Sequence, residues 1–267
     1  MSSFDLSGRR AVVTGGSRGI GRGLALGLAQ AGADVVVVFR QAERAAQEVV
    51  QAIEQMGREA HAFQHDVSYV EGVPGLVERI WSQVGPVDIL VNNAGLASLE
   101  TFDTVTSEGW DRTMGVNVKG PFFLSQQFAI RMIGRGRGGR VINISSTNGF
   151  QAEAHLAAYN TSKAALEMLT KSLAIELAPH SITVNSVAPG LIETEIADEF
   201  EVAPGFWEHV VEHVPLGHLG APRDCVGAVV LLAGDAGAYI TGQAIVVDGG
   251  ILCEQIPRLK FGPPPQA

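Results

Sequence analysis

Cysteine and basic residues are both scarce in this sequence. The two cysteines among 267 residues, Cys225 and Cys253, have no nearby cysteine or histidine at metal-ligand spacing, so we expect neither a disulfide framework nor a metal site. Nineteen Lys and Arg residues face 28 Asp and Glu residues, for a net charge of −9. A nucleic-acid partner needs a basic surface, which this composition argues against. The densest basic run, 131–140, has no interleaved aromatic residues and is predicted to be a solvated loop.

Long hydrophobic runs are also missing. No apolar stretch approaches the roughly 18 residues that cross a bilayer. The first six residues lack the basic and apolar regions of a signal peptide. We therefore expect no membrane partner and a cytoplasmic location. Apolar residues make up 46% of the chain and charged residues 18%, a balance typical of a folded domain.

Short β-branched runs alternate with helical patterns along the chain. Strands are predicted at 11–13, 34–39, 59–64, 87–91, 140–144, 182–187 and 244–247, and helices at 24–31, 42–56, 70–83, 107–132, 157–178 and 223–232. Continuous apolar strands such as 35–38 indicate a parallel sheet covered on both faces. The sequence predicts a single α/β domain over 1–250, a doubly wound, Rossmann-type sheet of seven parallel strands with helices on both faces. A proline-rich C-terminal extension follows at 251–267.

A glycine-rich segment, Thr14 to Gly21, joins the first strand to the first helix. Glycine there permits a sharp turn and close approach of a pyrophosphate to the helix N-terminus. The second strand ends at Arg40 and carries no acid that would bind the ribose 2′-hydroxyl of NAD. Arg40 and Arg18 offer guanidinium groups suited to the 2′-phosphate of NADP. NADP(H) is the preferred cofactor on this pattern, and NAD(H) is the alternative.

Polar or small residues recur where successive strands end. Asp66 and Val67 follow the third strand, where a carboxylate could bind the adenine amino group, and Asn93 to Gly95 follow the fourth. Ligands of open α/β sheets bind outside the carboxyl ends of the strands. These residues are therefore predicted to face a cofactor lying across the sheet.

Tyr159 and Lys163 are four residues apart on a predicted helix and share one face. A neighbouring ammonium favours the phenolate, so Lys163 is expected to lower the tyrosine pKa from about 10. Such a phenol can exchange a proton with a substrate oxygen. Ser145 and Ser146 end the fifth strand, where a hydroxyl could hydrogen-bond that oxygen.

These motifs together resemble the short-chain dehydrogenase/reductase family over about residues 6–250. The resemblance selects Ser146, thirteen residues before Tyr159, over Ser145. It implies a tetrad of Asn117, Ser146, Tyr159 and Lys163. Tyr159 would be the acid/base, Ser146 the orienting hydroxyl and Lys163 the contact to the nicotinamide ribose, while Asn117 would hold a relay water. The predicted cofactor contacts are Gly15, Ser17, Arg18, Gly19, Ile20, Gly21, Arg40, Asp66, Val67, Asn93, Ala94, Gly95, Tyr159, Lys163, Pro189, Gly190, Ile192 and Thr194.

The resemblance also implies a homotetramer, with the helices around Asn117 and Tyr159 packed between subunits. It places substrate selection in two segments. The segment after Ser146 is polar and suits a sugar or polyol. A substrate lid at about 192–215, with Phe206, Trp207, Glu208, His209 and His213, could instead suit an apolar ketone. The predicted substrate contacts are Ser146, Asn148, Glu153, His155, Tyr159 and Trp207.

The sequence is compatible with three functions. The favoured one is an NADP(H)-dependent oxidoreductase that interconverts a carbonyl and a secondary alcohol, with a small molecule as its partner. An NAD-dependent sugar or polyol dehydrogenase is the alternative within enzymes. A protein that senses NADP without turnover is the alternative of another class. The intact pair of Tyr159 and Lys163 favours an enzyme.

Overall fold

The computed structural model describes residues 3–194 and 205–253. Its seven strands are β1 (Arg10–Thr14), β2 (Asp34–Phe39), β3 (Ala60–Gln64), β4 (Ile89–Asn92), β5 (Gly139–Ile144), β6 (Ile182–Pro189) and β7 (Ala244–Val247). The α-helices among the described residues are α1 (Gly19–Gln30), α2 (Glu43–Gln55), α3 (Val73–Gln83), α4 (Ser107–Met114), α5 (Gly120–Arg135), α6 (Ala157–Leu177), α7 (Phe206–Glu212) and α8 (Val226–Ala233).

The strands form one parallel sheet in the order β3-β2-β1-β4-β5-β6-β7. The strand order reverses between β1 and β4, whose Val12 and Leu90 pair across the switch point. Crevices at such a reversal are where doubly wound sheets bind ligands. The predicted fold class is confirmed.

Alternate residues of the strands supply the two hydrophobic cores. Val35 and Val37 of β2 pack with Leu24 and Leu28 on one face of the sheet. Val36 and Val38 belong to the core on the other face, which includes Phe128. Both faces of β2 are therefore buried in a hydrophobic core. This explains why its sequence is apolar throughout and does not alternate between apolar and polar residues.

The predicted continuous helix at 107–132 is wrong in detail. Helix α4 ends at Met114, a π-helical turn spans Gly115–Lys119, and α5 then continues. A Cβ on Gly120 would lie 2.6 Å from the carbonyl oxygen of Val67, so the chain needs glycine where it crosses the end of β3. The π turn carries Asn117, and such turns are frequent at functional sites.

Two further segments differ from expectation. Residues 206–212 form α7, although no helix was predicted there. The basic run is only partly a solvated loop, because α5 extends through Arg135. That places Arg135 2.7 Å from Asp88 and Arg131 against Glu78, so both guanidinium groups have carboxylate partners. No helix in the described ranges is long and apolar enough to span a membrane.

A buried polar network fastens α6 and α5 to the centre of the sheet. Asn92 Nδ2 donates to Ser125 Oγ (3.0 Å) and to Asn143 Oδ1 (2.9 Å). Asn143 Nδ2 donates to Thr170 Oγ1 (2.9 Å) on α6. Because all four side chains are buried, each lost bond leaves a desolvated polar group.

Replacing Asn143 with alanine should therefore lower the free energy of unfolding by about 1–3 kcal/mol, since Asn92 and Thr170 both lose a partner. Urea denaturation measures this change. The control is Ser172→Ala, which removes an exposed hydrogen bond on the same helix and should stay within about 0.5 kcal/mol of the wild type. Equal effects of the two substitutions would contradict the structural role of the network.

Candidate active site

A cleft of about 450 Å³ opens at the carboxyl ends of the strands, across the β1–β4 switch point. It is lined by residues from the glycine-rich segment, the ends of β2 to β5, and α6. Its lining includes most of the predicted cofactor contacts: Gly15, Ser17, Arg18, Ile20, Gly21, Arg40, Asp66, Val67, Asn93, Ala94, Gly95, Tyr159, Lys163 and Thr194. The fold thus brings together residues that lie up to 179 positions apart, from Gly15 to Thr194.

The glycine-rich segment forms a cradle that side chains would fill. Gly15 and Gly19 have φ of 64° and 53°, a region that favours glycine. A Cβ on Gly21 would collide with the Gly15 carbonyl oxygen. The first turn of α1 has no acidic residue and no side-chain cap, so its N–H groups remain suited to a phosphate. These features fit a dinucleotide pyrophosphate.

The segment after β4 is bonded directly to this cradle. Thr14 Oγ1 accepts hydrogen bonds from the backbone N–H groups of Asn93 and Ala94, both at 3.0 Å. Asn93 Nδ2 donates to the Thr14 carbonyl oxygen at 2.9 Å. Asn93 therefore fixes the width of the cleft as well as lining it.

Arg40 and Asp66 lie together at the end of the cleft formed by β2 and β3. Arg40 Nη1 is 4.0 Å from Asp66 Oδ2, and both side chains are partly exposed. Ser68 donates to Asp66 Oδ1 through its N–H (2.9 Å) and Oγ (2.6 Å). Burial raises the pKa of Asp66, but the Ser68 bonds and the Arg40 charge outweigh it, so the pKa falls below its usual value. The guanidinium of Arg40 remains accessible to an anion.

The predicted tetrad comes together where β5 meets α6. Lys163 is buried, and its Nζ donates to the Ile144 carbonyl oxygen at 2.9 Å. The same Nζ lies 5.5 Å from the centroid of the Tyr159 ring, and the side chain of Tyr159 hydrogen-bonds Ser146. The phenol and the ammonium therefore line one end of the cleft, whereas Ser146 lies beside the phenol and its neighbour Ser145 belongs to the lining.

Asn117 belongs to the same cluster but is held by protein groups. Its Oδ1 accepts from the Leu96 N–H (2.8 Å), and its Nδ2 donates to the Leu96 carbonyl oxygen and to Ser162 Oγ, each at 2.9 Å. A Cβ on Gly95 would lie 3.7 Å from both Asn117 Oδ1 and Lys163 Nζ. The absence of a side chain at Gly95 leaves space between these two groups, as a relay water would need.

Burial is the largest influence on the pKa values of both Tyr159 and Lys163. It raises the pKa of Tyr159 above 10, with a further increase from Glu153, and the Ser146 bond offsets only part of this. Burial also lowers the pKa of Lys163 to about 8, although Glu167 acts in the opposite direction. The expectation that Lys163 lowers the Tyr159 pKa is wrong for the protein alone. Its Nζ lies over the ring and bonds Ile144, and desolvation is the largest influence on the pKa of the phenol.

Ser146 is oriented by a chain of amide groups. Its Oγ donates to Asn148 Oδ1 (2.9 Å), while Asn148 Nδ2 donates to Asn160 Oδ1 (2.9 Å). Asn160 Nδ2 ends the chain at the Glu153 carbonyl oxygen (2.8 Å), which can only accept. Asn148 was predicted as a substrate contact, but it is 7% exposed and both of its amide atoms are engaged, so it supports Ser146 from behind.

The other predicted substrate contacts lie near the cleft or on α7. Glu153 and His155 are exposed in the segment that leads into α6, and His155 has a φ of 62°. Trp207 is partly buried on α7. On the same helix the His209 and His213 rings are 4.4 Å apart. Part of the predicted lid, 195–204, and the side chains of Phe206 and Glu208 lie outside the described residues, as does the extension after 253.

Among the described residues that follow β6, Thr194 is the one that lines the cleft. Pro189 ends β6, and the Gly190 N–H donates to the Val247 carbonyl oxygen at 2.9 Å. Ile192 forms a bridge with Gly220. Pro189, Gly190 and Ile192 are not part of the cleft lining, so in the structure they place Thr194 beside Gly19.

Two residues of this site were not singled out in the sequence. Asn160, adjacent to Tyr159, orients Asn148, and Glu167 lies one turn beyond Lys163 on α6. The only sequence signal was the presence of polar residues on an otherwise apolar helix, which is common on surfaces. Their burial and their partners became visible only in three dimensions.

The cleft fits a dinucleotide, and Tyr159 and Lys163 line one of its ends. Together with the fold, these features define an NAD(P)-dependent oxidoreductase that acts on an alcohol or a carbonyl compound. A family model described as enoyl-(acyl carrier protein) reductase matches residues 15–252. The chain belongs to the short-chain dehydrogenase/reductase family.

Individual relatives differ in the substrates that they name. The 2-dehydro-3-deoxy-D-gluconate 5-dehydrogenase of Escherichia coli (strain K12) is 38% identical over 252 residues, covering 94% of this chain and 98% of the relative. The 3beta-hydroxysteroid dehydrogenase 1 of Eggerthella lenta is also 38% identical, over 97% and 98% of the two chains. The crystal structure of gluconate 5-dehydrogenase from Burkholderia cenocepacia J2315, in complex with NADP and tartrate, superposes with a TM-score of 0.89 at 36% identity, covering 94% and 98%.

Substitution of Arg40 by aspartate should raise the KM for NADPH at least about tenfold more than the KM for NADH. The change removes a cation that a 2′-phosphate would contact and adds an anion beside Asp66. Initial rates with each cofactor measure the effect.

The matched control is Arg44→Asp, the same charge change at an exposed position of α2 outside the cleft lining. It should leave the preference between the two cofactors unchanged. Equal loss with NADPH and NADH in the Arg40 variant would remove the physical basis for a preference for NADP(H).

Proposed function

We propose that this protein uses NADP(H), in preference to NAD(H), to interconvert a ketone and a secondary alcohol on a polyhydroxylated small molecule. The observation that carries the proposal is the pair of Tyr159 and Lys163 at one end of a cleft whose other end holds Arg40, with Ser146 beside the phenol. The cleft thereby provides a proton donor at one end and a phosphate-binding cation at the other.

Tyr159, Ser146 and Lys163 each have a separate role in the proposed reaction. When bound, the nicotinamide ring supplies or accepts the hydride. Tyr159, whose raised pKa keeps its phenol protonated at neutral pH, gives a proton to the oxygen of a substrate being reduced and takes one from an alcohol being oxidised. Ser146 hydrogen-bonds the same oxygen, after its hydroxyl turns from Asn148. Lys163 supplies positive charge when the phenolate forms and is placed to hold the cofactor ribose.

The polar segment before α6 supports a polyhydroxylated substrate. Gln151, Glu153 and His155 are exposed in this segment, and Glu153 is close enough to act electrostatically on Tyr159. Carboxylate and imidazole groups can each hydrogen-bond substrate hydroxyls. The gluconate and dehydrodeoxygluconate dehydrogenases among the relatives are consistent with this substrate class.

A second substrate class, bulky apolar ketones, has one specific observation in its favour. Trp207 is partly buried on α7, and a relative at the same identity is named as a steroid dehydrogenase. Aldonates and polyols are therefore assayed beside cyclic apolar ketones and alcohols, each with both cofactors. Turnover confined to the apolar compounds would reject the polyhydroxylated substrate.

The decisive variant is Tyr159→Phe, which removes only the phenolic oxygen. It should reduce kcat by at least about a thousandfold, because the acid/base is lost, while the Kd for NADPH stays within about twofold. Steady-state rates and fluorescence titration of NADPH measure the two quantities.

The matched control is Tyr69→Phe, the same change at an exposed tyrosine outside the cleft lining, which should keep full activity. Unchanged turnover in the Tyr159 variant would refute the proton-transfer role. NADPH binding without turnover of any substrate by the wild type would favour the non-catalytic sensor.

We further propose a homotetramer in which α4, α5 and α6 pack against a second subunit. These helices expose large apolar side chains: Trp110, Ile130, Ile133, Met168 and Ile175. They also border a shallow cavity of about 580 Å³ lined by Asp111, Met114, Gly115, Val118, Lys119, Phe122 and Leu169. Contiguous exposed apolar surface of this kind marks protein interfaces.

Replacing Ile175, which is 77% exposed, with aspartate should therefore break this contact and reduce the assembly to dimers or monomers. Light scattering coupled to size-exclusion chromatography measures the mass. Met56→Asp, the corresponding change at an exposed apolar residue beside α2, is the control and should keep the tetramer mass. A wild-type monomer would contradict the assembly.

A further inference from the structure

Glu167 is a buried carboxylate directly behind the active site. It lies one helical turn after Lys163 on α6 and is 7% exposed. Both of its carboxylate oxygens accept from Ser186 Oγ on β6, at 2.9 and 2.8 Å. Acidic side chains are rarely buried to this degree without a charged partner. No salt bridge to Glu167 within 4.0 Å occurs among the described residues. The burial of this charge therefore needs an explanation, and the nearby Lys163 offers one.

Gly149 packs closely against α6 at Lys163 and Glu167. A Cβ on Gly149 would lie 3.1 Å from the Lys163 carbonyl oxygen, 3.2 Å from Glu167 Cγ and 3.2 Å from Ser145 Oγ. Ser145 Oγ is buried and has no hydrogen-bond partner within the described part of the chain. Lys163 and Glu167 are only 4% and 7% exposed, and charges interact more strongly in such water-poor surroundings than in solvent.

Within 3–194 and 205–253, the other elements around Lys163 bring no second carboxylate against it. The chain from Ile144 to Gly149 and the whole of β6 are uncharged, as is the segment 93–97 after β4. Glu153 acts on Tyr159. Asp111 and Lys119 are exposed and line the shallow cavity on the outer face of α4 and α5.

We propose that Glu167 is a positioning residue for the reaction: a buried counter-charge that keeps Lys163 in its ammonium form beside Tyr159. Side chains four residues apart on a helix are neighbours, with Cβ atoms about 5–6 Å apart. Ser186 holds the carboxylate in place through both oxygens, so the negative charge stays fixed relative to Lys163. The inference rests on the role given to Lys163 in the proposed function.

The ionisation of Lys163 agrees with this geometry. Burial lowers its pKa to about 8, and Glu167 is the group that opposes the decrease. A lysine with this pKa loses its charge as the pH rises through about 8. Activity that needs the ammonium should therefore fall on the alkaline side of the pH profile, and removal of Glu167 should move that fall to lower pH.

The test is Glu167→Gln, which keeps an oxygen acceptor for Ser186 and removes the charge. The alkaline limb of the kcat profile should move down by about one pH unit. Titration of the Lys163 ¹³Cε resonance in the protein without substrate should show the same displacement, independently of turnover. Glu167→Asp restores the charge on a shorter side chain and should return both curves toward the wild type.

The matched control is Glu176→Gln, the same change at an exposed position of the same helix, which should leave both curves unchanged. If the kcat profile and the Lys163 titration of the Glu167→Gln variant both match those of the wild type, the inference is overturned. Lys163→Ala separates the two hypotheses. If it abolishes turnover while Glu167→Gln leaves the curves unchanged, only the counter-charge role fails. If it leaves turnover intact, the proposed function fails as well.

Discussion

The active site depends on the hydrogen bond from Lys163 Nζ to the backbone carbonyl of Ile144. This bond fixes α6 against the last residue of β5, immediately before Ser145 and Ser146. Tyr159, one turn earlier on α6, is thereby brought to Ser146. A backbone carbonyl cannot be altered by substitution and only accepts, so it orients the ammonium without neutralising it. The phenol, the hydroxyl and the cation are consequently placed by one strand end and one helix.

The same packing explains why these groups have unusual ionisation. The buried asparagine and threonine bonds hold α6 close to the sheet, which leaves Lys163 buried and Tyr159 partly buried. Exclusion of water favours the neutral form of both groups, as the raised Tyr159 pKa and the lowered Lys163 pKa show. A site that must form a phenolate therefore needs a nearby positive charge. In the proposal above, Lys163 provides this charge and Glu167 helps Lys163 to keep it.

The sequence was sufficient for the sheet and the glycine-rich cradle, because each has a local signal, whereas the tetrad came from the family resemblance. Strand β2 was predicted to the residue, since four consecutive valines can be satisfied only by burial on two faces. The break at Gly115 was not predicted: the residues after it pack at Gly120 against Val67, a contact between positions that are distant in sequence. Asn148 was assigned to the substrate for the same reason: its partner Asn160 lies twelve residues away. Burial also reversed the expected direction of the Tyr159 pKa.

The most direct test of the account is the titration of Tyr159 itself by ¹³Cζ NMR. The chain has three tyrosines, and Tyr69 and Tyr239 are exposed and serve as reference resonances. The account predicts that Tyr159 titrates above 10 in the protein alone, and that in the complex with NADP its pKa falls while Lys163 stays charged. A Tyr159 resonance that titrates at or below 10 in the protein alone and does not move when NADP binds would contradict control of the phenol by this cluster.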